Sequence, residues 1–372
     1  MTPPMQMPSR LIDRLDAEIA RAEGVLEREF LKARRAAALA RHNQFAEARF
    51  ALAGLRSQGQ RLRNTALAAW IALVDGLIDH CESLSTGARE KFARAHALAA
   101  EAGVAAVQAE AAAWLAVADL NANDIAATVA HASEAVRLAP ADAHAARARA
   151  ALVVGDTWRF AGEDAIAQAW YQRVRQSAAA EGDLSMVSML LHNMAAFRAY
   201  RISLDDAFGN GDQAEAQRVL MEAESTGNYD AGVGNEQLVA QVPLLRAQLM
   251  TVLGQFEPAI ALIDAQLPRA RSEGQAHREA RYLADAAHAE VRLGRLEEAA
   301  RRLRAIQQAL PLMSEVDDLA ATHARLAGVL QALGRDEQAQ AHRASAQRHL
   351  EEHEAEQALW CEALRDAGLA QP

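Results

Sequence analysis

Apolar and small residues recur along this chain in helix-length blocks separated by short polar turns, and the turns themselves repeat. The phrase Leu253-Gly254-Gln255-Phe256-Glu257-Pro258-Ala259 returns as Leu293-Gly294-Arg295-Leu296-Glu297-Glu298-Ala299 and again as Leu333-Gly334-Arg335-Asp336-Glu337-Gln338-Ala339, each time 40 residues on. Carried backwards, weaker versions begin at Asn43, Ser83, Asn123, Gly162 and Gly211, giving eight turns at intervals of 40, 40, 39, 49, 43, 40 and 40 residues. Self-similarity at a fixed period marks a repeat architecture. Gly or Asn at the turn can take the left-handed conformation that ends one helix, and the acidic residues after it suit the N-terminus of the next. Each repeat is therefore predicted to be a helix hairpin. Small residues stand seven places before most turns (Ala36, Gly76, Ala116, Gly155, Ala247, Ala287, Ala327) and five places after (Ala48, Ala88, Ala167, Ala216, Ala259, Ala299, Ala339), where two helices can approach closely.

Pro140 and Pro311 both fall seventeen residues after a turn, where the second helix of a hairpin should stop, because proline cannot continue a helix interior. Small residues at these two places, a turn glycine and a closing proline resemble the tetratricopeptide repeat family over about residues 25–350. The period of 40 exceeds the family's usual ~34, and the family's large aromatic positions are mostly absent. The longer period is similar to the sensor arrays of maltose-regulator-type transcription factors and some diguanylate cyclases of bacteria, here without an output domain. The resemblance implies an all-α fold, an α-solenoid winding as a right-handed superhelix of about eight hairpins. Residues 1–24 form a lead and capping helix, 25–352 the array, and 353–372 a C-terminal cap and tail.

Composition agrees. Of 372 residues, 90 are alanine, with few prolines and glycines to punctuate them and aromatics at 5%, which argues against large β-sheet cores, and helix formers dominate. A net charge of −10 argues against a general nucleic-acid or anionic-membrane binder, which needs a basic surface. Cys81 and Cys361 are too few and too isolated for a disulfide framework or a four-ligand zinc site, which fits a reducing compartment. No apolar signal core precedes Arg10, and the longest apolar run, residues 66–74, is about half the ~20 needed to cross a bilayer. A cytoplasmic protein is expected, with no membrane or nucleic-acid partner.

Two stretches break the register, residues 201–211 and the segment TGNYDAGVGNE at 226–236. Both flank the same repeat and read as loop insertions, which in solenoids often border a binding face. In the family geometry, the first helix of each hairpin lines a concave groove. Counting from the turns then offers Arg149, Asp156, Arg159, Asn193, Tyr200, Arg201, Gln241, Gln248, Arg281 and His288 as exposed groove positions. Amides there can pair with an extended peptide and Arg can fork onto a carboxylate. Trp70, Trp114, Trp158 and the pair Trp170-Tyr171 read as core packing rather than a ligand cage. His342, His349 and His353 share a face of the last helix, but Leu350 stands where a zincin motif needs glutamate, so a solvated capping helix is the expected role. No catalytic group, metal or cofactor is expected. The reading is a non-enzymatic adaptor or scaffold that binds a peptide or partner protein, with a ligand- or peptide-responsive sensor acting on a separate output protein as the alternative.

Overall fold

In a computed structural model, residues 9–83, 85, 87–233 and 239–372 are described, with backbone alone at 228 and 230–233. Seventeen α-helices follow one another, with two short 3-10 turns and no strand among the described residues. After a lead helix α1 (Arg10–Arg21), the hairpins are α2 (Val25–Arg41) with α3 (Phe45–Leu62), α4 (Thr65–Ser83) with α5 (Ala88–Ala102), α6 (Ala105–Asn121) with α7 (Ile125–Leu138), and α8 (His144–Phe160) with α9 (Asp164–Glu181). The array continues with α10 (Leu184–Ala207) and α11 (Gln213–Val233), α12 (Gln241–Val252) and α13 (Phe256–Ser272), α14 (Glu279–Arg292) and α15 (Leu296–Ala309), and α16 (Val316–Ala332) and α17 (Asp336–Asp366). The all-α hairpin array is thus as the repeat predicts.

The turns and crossings follow the predicted chemistry. Asn43, Asn123, Gly162, Gly254, Gly294 and Gly334 all have positive φ, between 55° and 81°. The fifth turn differs: Gly209 (φ 86°) carries the left-handed residue, and the Asp212 carboxylate then accepts from the Glu215 N–H at 2.9 Å to start α11. Helix α7 stops two residues before Pro140, and α15 gives way to a 3-10 turn containing Pro311. At the crossings the small residues are enclosed by the partner helix. A Cβ on Gly76 would lie 2.7 Å from the Phe92 ring, and one on Gly155 would lie 2.6 Å from the Tyr171 ring.

The two expected loop insertions are largely helix. Residues 201–207 prolong α10 to 24 residues and 226–233 prolong α11 to 21, leaving 208–212 as the turn between them; 234–236 lie outside the described residues. Extra residues here lengthen a hairpin because continuing a helix satisfies each backbone N–H and C=O, whereas a loop must find other partners.

The chain packs as two units, one made of Met1–Leu190, Tyr229–Gln237 and Ala358–Pro372, the other of Leu191–Asn228 and Leu238–Gln357. The first has a core of alanines and leucines from α1 to α6, with Phe92 stacked on Trp114 at 5.6 Å. Trp158 and Trp170 are fully buried in it, and their indole N–H groups both donate to the Leu369 carbonyl, at 2.9 and 3.0 Å. The second packs α12 to α17 around Ile263, Tyr282, Leu283, Ile306 and Val329. A satellite core joins α10, α11 and α12 through Ile202, Val219 and Leu249.

Candidate functional site

The second unit brings polar side chains of the first helices of its hairpins together on one inner face. Asp285 of α14, fully buried, accepts from Arg281 Nη1 and from Arg325 Nε of α16, each at 3.0 Å. Arg325 reaches on to Asp206 of α10, and Arg281 donates to the Ser203 hydroxyl and carbonyl of α10. Gln248 of α12 points its amide at Asp285 from 3.5 Å. Beside this network, the Arg278 guanidinium stacks 4.1 Å over the Tyr200 ring and faces Asp318 at 3.2 Å, while Gln241 Nε2 donates to the Tyr200 hydroxyl at 3.1 Å. Burial pushes the Asp318 carboxyl up to about 6, with Asp317 and Glu315 adding to the rise and Arg278 and Arg281 opposing it.

Five atoms on this face are buried without a hydrogen-bond partner among the described residues: Arg278 Nε and Asp318 Oδ2, which face each other as an ion pair, and Gln248 Oε1, Tyr282 Oη and Thr322 Oγ1. Gln248, Tyr282 and Thr322 are at most 1% exposed. Burial also holds the Tyr282 hydroxyl well above its ordinary pKa, so it is a neutral donor at any physiological pH.

The ten predicted groove residues divide between the units. Tyr200, Gln241, Gln248 and Arg281 belong to the inner face just described. Asn193 is half-buried, Arg201 is exposed, and His288 packs edge-on against Phe256 at 6.3 Å, its imidazole pushed down to about 4, chiefly by burial. Arg149, Asp156 and Arg159 lie in the first unit, where Arg149 stacks 3.9 Å over Trp114, Asp156 accepts from the Tyr171 hydroxyl at 2.9 Å, and Arg159 pairs with Asp164 at 2.9 Å. Arg149, Asp156, Gln248 and Arg281 are buried, Arg159, Asn193, Tyr200, Gln241 and His288 are half-buried, and Arg201 is exposed.

Spacing from the turns missed the partners that complete these clusters. In the second unit they are Arg278, Tyr282, Asp285, Asp318 and Arg325. In the first they are Arg41, which pairs with Glu110 at 3.3 Å and Asp183 at 3.2 Å, and Glu181, which Arg14 and Arg34 hold at 3.1 and 3.3 Å. The available signal was charge at helix positions otherwise filled by alanine, as at Arg41 closing the run Ala36-Ala37-Ala38-Leu39-Ala40.

The tryptophan reading is matched by burial: Trp114, Trp158 and Trp170 are at most 1% exposed, while Trp70 is half-buried. On the last hairpin, His323 of α16 sits with its Nδ1 2.8 Å from Nδ1 of His342 and its ring 5.5 Å from that of His349. Among the described residues no group of three or more His, Cys, Asp or Glu side chains is arranged to hold a metal ion. No described helix is long and apolar enough to cross a membrane. Compared with family models and with curated proteins, the chain matches none.

Proposed function

We propose that this chain is a non-enzymatic, tetratricopeptide-like binding protein of the cytoplasm, an adaptor or scaffold that captures a peptide or a partner protein. One observation carries the reading: the inner face of the second unit keeps Gln248 Oε1, Tyr282 Oη and Thr322 Oγ1 buried and uncommitted beside three guanidinium groups. A buried polar atom left unpaired costs about 1–3 kcal/mol, a cost that a guest supplying hydrogen bonds would remove. An extended peptide offers a donor and an acceptor at each residue, matching one amide oxygen and two hydroxyls. Small rotations between repeats change the curvature of such arrays and would admit it, with Asn193, Arg201 and Gln241 at the approach. The mechanism is capture, with no bond made or broken.

The test is affinity capture from the native cell extract, with wild-type protein compared against the combined Asn193→Ala, Arg201→Ala and Gln241→Ala variant, its fold checked by circular dichroism. A partner held by the wild type and lost by the folded variant supports both the function and the site. Equal retention by both rejects the site, and no specific retention rejects the adaptor reading.

A further inference from the structure

Helix α3 carries an outer face that no described residue of its unit covers. Ala48, Leu52 and Leu55 root the helix in the core of the first unit, where it packs on α2 and α4. On the opposite side, at about 100° per residue, Ala46, Glu47, Ala53, Gly54, Ser57 and Arg61 all lie within about 60° of Phe50. All seven are exposed. Phe50 is 85% exposed, more than any other large apolar side chain among the described residues. A Cβ placed on Gly54 meets nothing within 4 Å.

The charges on this face are placed to meet a copy of themselves. Glu47 stands in the first turn of α3 and Arg61 in the last, and neither makes an ion pair or a side-chain hydrogen bond with a described residue. Their neighbours Arg49 and Arg56 point elsewhere, about 100–120° round the helix from Phe50, and pair with Glu82 and Asp75 of α4. Gly54 lies midway between Glu47 and Arg61 in the sequence. When two α3 helices cross antiparallel at Gly54, each Glu47 faces Arg61 of the second copy, so both ends of the contact are complementary. A parallel pair sets Glu47 against Glu47 and Arg61 against Arg61, and such like-charge contacts suppress wrong pairings.

The same register seats the aromatic ring. Phe50, four residues before the centre, falls opposite Gln58 of the second copy, in the hole bounded by Gly54, Ser57, Gln58 and Arg61 of that copy. Four residues in this spacing are the hole that receives a knob in helix packing. Gly54 and Ser57 leave room there for a ring, and the Arg61 guanidinium can lie over its face. We propose that two copies of this chain associate through antiparallel α3 helices about a two-fold axis at Gly54, each Phe50 seated in the other's hole and Glu47–Arg61 pairs closing both ends. A face about 27 Å long and one helix wide is smaller than the ~800 Å² per partner of a standard interface, so the dimer is a weak one, with a Kd of about 10–100 μM. The contact lies wholly in the first unit and stands independently of the peptide reading of the second.

Sedimentation equilibrium of the full chain at low salt tests this. The expected result is a monomer at about 1 μM that passes to mostly dimer at about 300 μM. Phe50→Ala is expected to raise Kd about tenfold or more, because a central aromatic anchor is lost from each copy. Glu47→Arg is expected to raise it about tenfold, and adding Arg61→Glu to restore it to within about threefold, a rescue that only the antiparallel register allows. All three side chains are exposed, so the core is untouched, and circular dichroism checks each fold. The proposal is overturned if the wild type stays monomeric at the highest concentration, which would leave this face to a different partner. It is equally overturned if Phe50→Ala or Glu47→Arg dimerises as tightly as the wild type, or if the charge swap fails to restore what Glu47→Arg removes.

Discussion

Gly155 sits in the middle of α8, where a helix would ordinarily gain from alanine, and the crossing with α9 reverses that preference. An added Cβ would stand 2.6 and 2.7 Å from two carbons of the Tyr171 ring, about 0.8 Å inside ordinary contact. Tyr171 cannot swing aside, because it is fully buried and its hydroxyl is tied to Asp156 at 2.9 Å. Overpacking costs about 1–3 kcal/mol, and a ring that cannot yield puts this site in the upper part of that range, about 2–3 kcal/mol, against a propensity gain of about 1 kcal/mol. Gly155→Ala is therefore expected to destabilise the protein by about 1–2 kcal/mol and lower Tm by about 3–6 °C. Gly54, exposed in α3 of the same unit with nothing within 4 Å of its added Cβ, is the control, and Gly54→Ala is expected to stabilise by about 0.5–1 kcal/mol. Urea unfolding followed at 222 nm, with the slope monitored for constancy, measures both. If Gly155→Ala proves as stable as wild type, the close approach of α8 and α9 is not what fixes glycine there.

Three further outcomes are expected. Removing residues 367–372 strips the Leu369 carbonyl from two buried indoles; each orphaned N–H costs about 1–3 kcal/mol, so a truncated protein whose urea midpoint is unchanged would contradict the contact. Arg325→Met leaves Asp285 and Asp206 short of a cation in a buried network and is expected to cost about 3–5 kcal/mol; a loss under about 1 kcal/mol in chemical denaturation would show the network to be dispensable. Burial, aided by like charge at His342 and His349, pushes the His323 imidazole down to about 4, and burial does the same to His80; both are neutral when folded at pH 7. A base whose folded pKa is lowered contributes stability present above its unfolded pKa of about 6.5 and lost as pH falls from there towards about 4. Tm should drop across that window, and His323→Gln should flatten the drop; an identical profile in the variant would remove His323 from the account.

Much of the fold is written locally. Left-handed Asn and Gly residues, prolines past helix ends and alanines at crossings act within a turn or two, so the hairpins can be counted from one sequence. The extra residues at 201–207 and 226–233 were less legible, because Gly227 and Gly232 read as breakers while the surrounding helix tolerates them. The candidate face was the hardest part. Counting from turns finds Gln248 and Arg281, yet whether such positions meet solvent or another helix depends on partners far along the chain, such as Asp183 for Arg41, 142 residues away. The division into two units has one faint signal, the interval of 49 residues between the turns at Gly162 and Gly211, which brackets the boundary at Leu190.

The Leu369 carbonyl that joins Trp158 and Trp170 also sets a schedule for biosynthesis. These indoles precede their acceptor by 211 and 199 residues. At about 5–20 residues per second of translation, the fourth hairpin leaves the ribosome roughly 10–40 s before the segment that completes it. During that interval both tryptophans lack the acceptor found in the finished protein, and the nascent first unit exposes the surface that Trp360, Leu364 and Leu369 later cover. Nascent chains halted before residue 360 should therefore engage holdase chaperones through that surface, and release from them should follow the emergence of residues 360–369.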